Sequence, residues 1–234
     1  MTGKISMEEI PECVPIGTAD RQEEWVKMEI YEFGSPDASV VLIEPIHVPE
    51  GMDTEAEMIR KLAGVDFRLL AVRVDWFRDL SPWPAPAVYG NIPFGSGAAE
   101  TLDKILKLTG KPGKRYVLGG YSMGGLFALW AACRSDAFSA VAAASPSVWF
   151  PGFTDYMFSG GIRTGRVYLS LGDREEKTRN PVMATVGDRI REIHAWLQSR
   201  AVPCCLEWNE GNHFRDLEER MAKGFAWAMK GPDL

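Results

Sequence analysis

The sequence predicts an α/β fold with a mainly parallel central sheet and helices on both faces. Short apolar runs of strand length alternate along the chain with longer segments in which apolar residues recur at helical intervals. Several of the short runs are apolar throughout, as expected for parallel strands that are covered on both sides. In such sheets ligands bind at the carboxyl ends of the strands, so the residues that follow each strand are the candidates for function.

The first two strands are expected at residues 25–33 and 39–45, and the turn-forming GSPD between them predicts that they pair as a hairpin. The first helix, MDTEAEMIRKLAG (52–64), contains Thr54 and Glu57 at the spacing of a capping box and closes at Gly64. The other strands are expected at residues 67–74, 115–121, 137–145, 165–172 and 203–210, and the other helices at 96–110, 124–135, 182–200 and 214–230.

The composition is that of an ordinary globular protein, with 46% hydrophobic and 25% charged residues among 234. It predicts one domain over residues 25–234, preceded by a surface arm over residues 1–24. The formal net charge of -6, without blocks of like charge, argues against nucleic acid and anionic membrane surfaces as partners. We therefore expect a small-molecule substrate. The sequence does not indicate the oligomeric state.

No apolar run approaches the ~20 residues of a membrane span, and the acidic N-terminus does not resemble a signal peptide, so a cytoplasmic location is expected. The four cysteines do not have the spacing of zinc ligands and are expected to be thiols. The sequence therefore predicts neither a metal nor another cofactor.

The segment GYSMG (120–124) matches G-x-S-x-G and lies between a predicted buried strand and a predicted apolar helix. This is the context of a nucleophile elbow, where glycines permit a crowded turn that exposes the serine hydroxyl. Ser122 is then the nucleophile, and the free amide of Met123 at the helix start can bind an oxyanion. Two alternatives are a structural helix cap at Ser122 and a degenerate phosphate loop, although neither G-x-G-x-x-G nor GxxxxGK[ST] is present.

A serine nucleophile needs a base, and the chain has three histidines. His194 lies inside a predicted amphipathic helix, which favours a structural role. His47 follows the second strand, where it can position an oxyanion loop or contact substrate. His213 lies on a loop after the last strand, and because the partners of a G-x-S-x-G serine follow in the order acid, then histidine, it is the predicted base.

The acid is expected between Ser122 and His213, and the loop after the strand at 165–172 offers Asp173, Glu175 and Glu176. Glu175 stands three residues beyond Gly172, a spacing common in hydrolases, and Asp173 is the alternative. The acid, whichever residue it is, holds the imidazole in the right tautomer and stabilises the imidazolium. The choice among the three stays open, and a solvated charged loop is the competing interpretation.

The long segment 74–97 is rich in Trp, Pro and Tyr, and loops of this length in compact domains are usually functional or disordered. We expect an apolar wall beside Ser122, which would favour aromatic or short acyl groups. The alternative is that these rings only form core. The residues expected in the wall are Trp76, Trp83, Tyr89 and Trp149, with Phe150 as a further candidate.

Together, GGYSMGGLFAL (119–129), SPSVW (145–149), the acidic loop and GNHF (211–214) resemble the esterase D family of α/β-hydrolases. The resemblance implies an α/β-hydrolase fold, the nucleophile and base named above, and an acid within residues 173–176. It also implies an oxyanion hole formed by the Met123 amide and a second amide near Ile46 or His47. The chain departs from many members in having one glycine before the histidine and glutamates in the acidic loop.

The predicted function is a serine esterase that cleaves a small carboxylic ester or thioester through an acyl-enzyme. Two alternatives are acyl transfer to an acceptor other than water and a catalytically silent protein that keeps the fold for binding.

Overall fold

The computed structural model of the protein describes residues 3–5 and 28–230. One sheet of eight strands forms the centre of this part of the chain, in the order β1-β2-β4-β3-β5-β6-β7-β8. The strands are β1 (Gly3–Ile5), β2 (Ile30–Gly34), β3 (Val40–Ile46), β4 (Arg68–Arg73), β5 (Arg115–Tyr121), β6 (Ala140–Ala144), β7 (Val167–Gly172) and β8 (Cys204–Asn209). Strands β3 to β8 are parallel, whereas β1 and β2 are antiparallel to their neighbours.

Helices cover both faces of the sheet, as the sequence predicts, because each face presents apolar side chains that must be buried. Helices α1 (Met52–Ala63) and α7 (Leu217–Met229) pack on one face. On the other face lie α2 (Trp76–Asp79), α3 (Ala98–Leu106), α4 (Met123–Arg134), α5 (Phe153–Gly160) and α6 (Val186–Ser199). Within the described ranges, no helix combines the length and apolarity needed to span a membrane.

The hairpin expected between the first two strands is wrong. Strand β2 pairs with β4, and β3 lies between β4 and β5. The reason is that β3 is buried along its whole length and has parallel neighbours on both sides, which leaves no edge for β2. An ion pair across the observed pairing, Arg68 Nε to Glu32 Oε1 at 2.7 Å, accompanies this register.

Two helix starts also differ from prediction. Helix α1 has Gly51 in the left-handed conformation (φ 90°) at its N-cap, so Thr54 lies inside the first turn and the capping box is wrong. Helix α6 begins at Val186 because Asn180 Oδ1 accepts the amides of Val182 and Met183 and shapes a separate 3-10 turn there. Sequence patterns missed α2, which starts where Asp75 caps two amides, and α5.

The predicted N-terminal arm lies outside the described residues except for Gly3–Ile5, which forms the edge strand β1 beside β2. Cys133, Cys204 and Cys205 are free thiols.

Two carboxyl groups are buried together between β3 and α1. Glu44 and Glu55 are each 4% exposed, and the two side chains are within hydrogen-bonding reach of one another. Burial raises the pKa of Glu44 to about 7. Burial, the adjacent Glu44 and the more distant Glu218 of α7 raise the pKa of Glu55 well above its ordinary value.

Candidate active site

The side chains of the candidate site converge at the carboxyl edge of the sheet. Ser122 follows β5, Ser147 follows β6, Glu175 follows β7 and His213 follows β8, and these four strands are consecutive neighbours. Because parallel strands end at the same edge, residues up to 91 positions apart in sequence meet there.

The turn that carries Ser122 requires its glycines. Ser122 has φ 54° and ψ -114°, a conformation that residues with a side chain rarely adopt. A Cβ at Gly120 would collide with the backbone of Gly124, and one at Gly125 would lie 3.0 Å from the Pro146 side chain. The turn therefore depends on residues without side chains on both sides of the serine. The Ser122 side chain does not cap α4, which removes the structural reason for a hydroxyl here.

Three side chains form one hydrogen-bonded chain. Ser122 Oγ lies 3.0 Å from His213 Nε2, and His213 Nδ1 lies 2.7 Å from Glu175 Oε2. A carboxylate can only accept, so Nδ1 carries a proton toward Glu175 and leaves the Nε2 lone pair to accept from the serine hydroxyl. This arrangement can remove the serine proton and stabilise the imidazolium that results.

Glu175 is buried and held in place by several donors. Its Oε1 accepts from Ser145 Oγ and the Gly172 amide, both at 2.7 Å. Burial raises the pKa of Glu175. The hydrogen bond and charge of His213, together with hydrogen bonds from Ser145 and the Gly172 amide, outweigh this effect, so the pKa of Glu175 lies below its ordinary value. The carboxyl is therefore ionised at neutral pH.

The other two acids of the loop lie elsewhere. Asp173 Oδ1 accepts the amide of Gly211 at 2.8 Å, which ties the acidic loop to the loop that carries His213. Glu176 pairs with Arg191 of α6, with 2.9 Å between Oε2 and Nη1. Of the three candidates, only Glu175 contacts the histidine among the described hydrogen bonds.

A buried arginine connects the acid to the histidine loop. Arg220 of α7 is 1% exposed, and its Nη1 donates to Glu175 Oε1 at 3.0 Å and to Ser145 Oγ and Tyr121 Oη, both at 3.2 Å. Its Nη2 donates to the carbonyls of Glu210 and Asn212, both at 3.1 Å. The guanidinium therefore fixes the carboxylate and the loop segment just before His213 with one planar group.

Tyr121 fixes the same loop from β5. Its hydroxyl donates to the backbone carbonyl of His213 at 2.7 Å, and burial raises its pKa to about 12. The residue that precedes the candidate nucleophile thus holds the backbone of the candidate base.

The residues expected at an oxyanion hole, Met123 and His47, lie next to the place where the end of β3 meets the start of α4. Met123 begins α4 directly after Ser122, and His47 is exposed directly after β3. A Cβ at Gly124 would lie 3.2 Å from the carbonyl oxygen of Pro45, so the end of β3 lies against the first turn of α4. His194 lies on α6, where burial lowers its pKa, away from this edge.

The aromatic residues of segment 74–97 pack mainly with one another and with the loop after β6. Trp83 contacts Phe150 and Tyr156, and its Nε1 donates to the carbonyl of Pro151. Tyr89 is 47% exposed and meets the buried Trp149 at 6.5 Å between ring centroids. Among the described ring contacts of this segment, only that of Trp76, whose ring lies 6.1 Å from His47, reaches a residue expected in the triad or the oxyanion hole. The apolar wall beside Ser122 stays a prediction.

An open cleft of 800 Å³ lies beside His47, at the ends of β3 and β4. Ionisable side chains of both signs line it, together with the first turn of α3; they include Arg73, Asp75, Arg78, Asp79 and Lys104. In the part of the chain that the structure describes, no cluster of three or more His, Cys, Asp or Glu residues is placed to hold a metal ion.

Four residues of the site were not found from the sequence: Tyr121, Ser145, Ser147 and Arg220. The sequence does contain a signal for Arg220, because this residue lies on the same face of α7 as Gly224 and Ala228, which is the buried face of the helix. A charged residue on an apolar face has to be paired when it is buried.

Neither a family model nor a curated protein sequence matches the chain. Among solved structures, the siderophore hydrolase EstA from Aspergillus nidulans is similar with a TM-score of 0.67 and 19% identity, covering 98% of this chain and 93% of that one. An IroE-like serine hydrolase from Shewanella oneidensis has the same TM-score and identity over 87% of this chain and 74% of its own. The fluorophosphonate-binding serine hydrolase FphF from Staphylococcus aureus has a TM-score of 0.59 and 11% identity, with 88% and 93% covered. The chain therefore has the α/β-hydrolase fold that the sequence predicts.

Proposed function

We propose that this α/β-hydrolase fold carries a serine esterase, with Ser122 as nucleophile, His213 as general base and Glu175 as the acid that orients it. The observation that carries this proposal is the unbroken hydrogen-bonded chain from Ser122 Oγ through the imidazole to the ionised, buried carboxylate. The strained turn at Ser122 adds support, since such strain concentrates at functional positions.

The proposed reaction uses the hydrogen bonds of this geometry. His213 Nε2 takes the Ser122 proton as Oγ attacks the ester carbonyl, and the imidazolium then gives that proton to the departing alcohol. Water attacks the acyl-enzyme with the same base, and the proton returns to Ser122 Oγ when the acid product leaves. Glu175 keeps its charge throughout and balances the imidazolium.

The negative charge that develops on the carbonyl oxygen needs amide donors. The Met123 amide, at the start of α4, is the first, and an amide at Ile46 or His47 is the second. The packing of the β3 end against the first turn of α4 supports this pairing, because it brings both segments to one side of the serine.

We propose a small carboxylic ester or thioester as the substrate, with its reacting carbonyl at Ser122 and a polar portion in the cleft beside His47. An aromatic or short acyl portion would then contact Trp76, Trp83, Tyr89 and Trp149. The similarity to a siderophore hydrolase adds siderophore esters to the candidates worth assaying.

The test compares wild type with Ser122→Ala. Wild type should hydrolyse p-nitrophenyl acetate and react with a fluorophosphonate probe, whereas Ser122→Ala should lose both, because the hydroxyl is the reacting group. Ser139→Ala is the matched control, since among the described hydrogen bonds the Ser139 hydroxyl donates only to the Tyr116 carbonyl, at the other end of the sheet. Hydrolysis by Ser122→Ala at the wild-type rate would disprove the nucleophile. A wild type that neither labels nor hydrolyses a panel of esters and thioesters would instead favour a binding protein.

A further inference from the structure

A second serine hydroxyl touches the candidate nucleophile. Ser147 Oγ lies 3.2 Å from Ser122 Oγ, and Ser147 is 1% exposed. The two residues are 25 positions apart in sequence and lie on neighbouring strand ends, one after β5 and one after β6. None of the roles assigned above uses this hydroxyl.

The backbone holds the two serines in fixed relation. The Ser147 amide donates to the Ser122 carbonyl at 3.0 Å, and the Ser122 amide donates to the Ala144 carbonyl at 3.1 Å. Pro146 packs against Gly125 of α4. Ser122 is therefore bonded through both its amide and its carbonyl to the segment that carries Ser147, so the backbones that carry the two hydroxyls are held at a fixed separation.

The direction of the hydroxyl contact follows from counting protons. His213 Nδ1–H faces Glu175, so its Nε2 accepts the single proton of the Ser122 hydroxyl. Ser122 then has no proton left for Ser147 and can only accept from it. The Ser147 hydroxyl therefore points its proton at the nucleophilic oxygen.

We propose that Ser147 is a further catalytic residue, whose hydroxyl donates a hydrogen bond to Ser122 Oγ and stabilises the negative charge on that oxygen as the acyl-enzyme breaks down. This inference rests on the proposed esterase function and adds a residue to its mechanism.

The hydrogen bond from Ser147 should accelerate mainly the deacylation step. After water has added to the acyl carbon, the bond between that carbon and Ser122 Oγ breaks, and its electron pair goes to Oγ. The imidazolium of His213 delivers a proton to this oxygen while Ser147 keeps its own proton and donates only a hydrogen bond. In acylation the hydrogen bond from Ser147 has two opposing effects on Ser122 Oγ. It holds the attacking oxygen in position, but it also occupies one of the lone pairs of that oxygen and so weakens it as a nucleophile.

The experiment separates the two steps with p-nitrophenyl acetate. Wild type should release a burst of one equivalent of p-nitrophenol, followed by a slower steady rate set by deacylation. Ser147→Ala should keep the burst amplitude and lose about 10- to 100-fold in the steady rate, the range expected for losing a hydrogen bond to a charged group. Ser147→Thr, which keeps the hydroxyl, should recover part of the loss, and Ser139→Ala should behave as wild type.

Alanine is smaller than serine and introduces no clash, so the Ser147→Ala protein should fold, and a thermal melt verifies this. A steady rate within twofold of wild type overturns the inference, as does a slower burst with unchanged deacylation. Failure of the proposed function looks different, because then wild type does not hydrolyse the ester or Ser122→Ala retains a burst.

Discussion

Arg220 should be essential to both the stability and the activity of this fold. Its guanidinium is buried beneath the site and has five hydrogen-bond acceptors around it: three share the two protons of Nη1, and two accept from Nη2. Replacing it in Arg220→Met keeps most of the side-chain volume but leaves the Glu175 carboxylate buried without its cation and two loop carbonyls without a donor.

The magnitude follows from these contacts. Removing one partner of a buried ion pair costs about 3–5 kcal/mol. For a chain of this size that corresponds to a fall of roughly 6–20 °C in the midpoint of thermal unfolding. Because the guanidinium also fixes the loop that carries His213, kcat should fall roughly 10- to 100-fold, the scale of a displacement of about 1 Å at a catalytic group.

Two comparisons identify the cause. Arg220→Lys keeps the charge but not the planar fork, and should fall between wild type and Arg220→Met. Arg189→Met removes an exposed arginine paired with Glu192 on α6 and should change stability by less than about 1 kcal/mol. Urea unfolding of each variant, with p-nitrophenyl acetate kinetics, measures both effects.

A double-mutant cycle tests the reasoning directly. If Arg220 acts through the charge of Glu175, Arg220→Met should cost at least ~1.5 kcal/mol less in a Glu175→Gln background than in wild type. Equal costs in the two backgrounds would show that the arginine stabilises the protein independently of the acid. Unchanged stability and kcat in Arg220→Met would refute the role altogether.

Two further predictions concern carboxyl groups. Glu175→Gln presents an amide donor to His213 Nδ1 and favours the wrong tautomer, so kcat should fall roughly 10³- to 10⁴-fold, whereas Asp173→Asn should lose less than tenfold; the reverse ranking in ester kinetics would make Asp173 the acid. Glu44 has a pKa raised from 4.5 to about 7 in the folded protein, so its stabilisation is complete below pH 4.5 and is lost as the pH rises through 7. Urea unfolding at pH 5 and pH 8 should show a loss of about 2–3 kcal/mol from Glu44 in wild type. Glu44→Gln should lose less stability between these two pH values, because only the raised pKa of Glu55 then contributes. The same loss in both proteins would mean that Glu44 does not titrate in this range.

Sequence patterns were sufficient for the parts of the fold that depend on local chemistry. Apolar runs located the parallel strands, and Gly64 ended α1 as expected, because it adopts the left-handed conformation there. The hairpin prediction failed because strand pairing depends on which strands lie on either side of β3, and the local sequence does not contain this information. The predicted start of α1 was wrong because the helix begins after a left-handed turn at Gly51, before the capping box that Thr54 and Glu57 would form.

The same division holds at the site. Ser122 and His213 could be named because their chemistry and chain order are distinctive, and the structure places them in contact. Ser145 and Ser147 could not, because serine is common and only the convergence of strand ends gives these two residues their partners. The place of Arg220 on the apolar face of α7 signals that it must be paired, but the sequence does not show which groups pair with it. The roles of the aromatic residues stay predictions for a related reason: aromatic composition predicts burial but not the cavity that a ring faces.

The strained backbone of Ser122 makes this residue a cost to folding. Its conformation carries a penalty of about 1–3 kcal/mol that a glycine would avoid, against the 0.4–1 kcal/mol that glycine adds to the entropy of the unfolded chain. A protein that needed only a turn between β5 and α4 would therefore be as stable or more stable with glycine at this position. Stability and reactivity thus favour different residues at position 122, and the hydroxyl has to be useful enough to outweigh the weaker fold that it imposes.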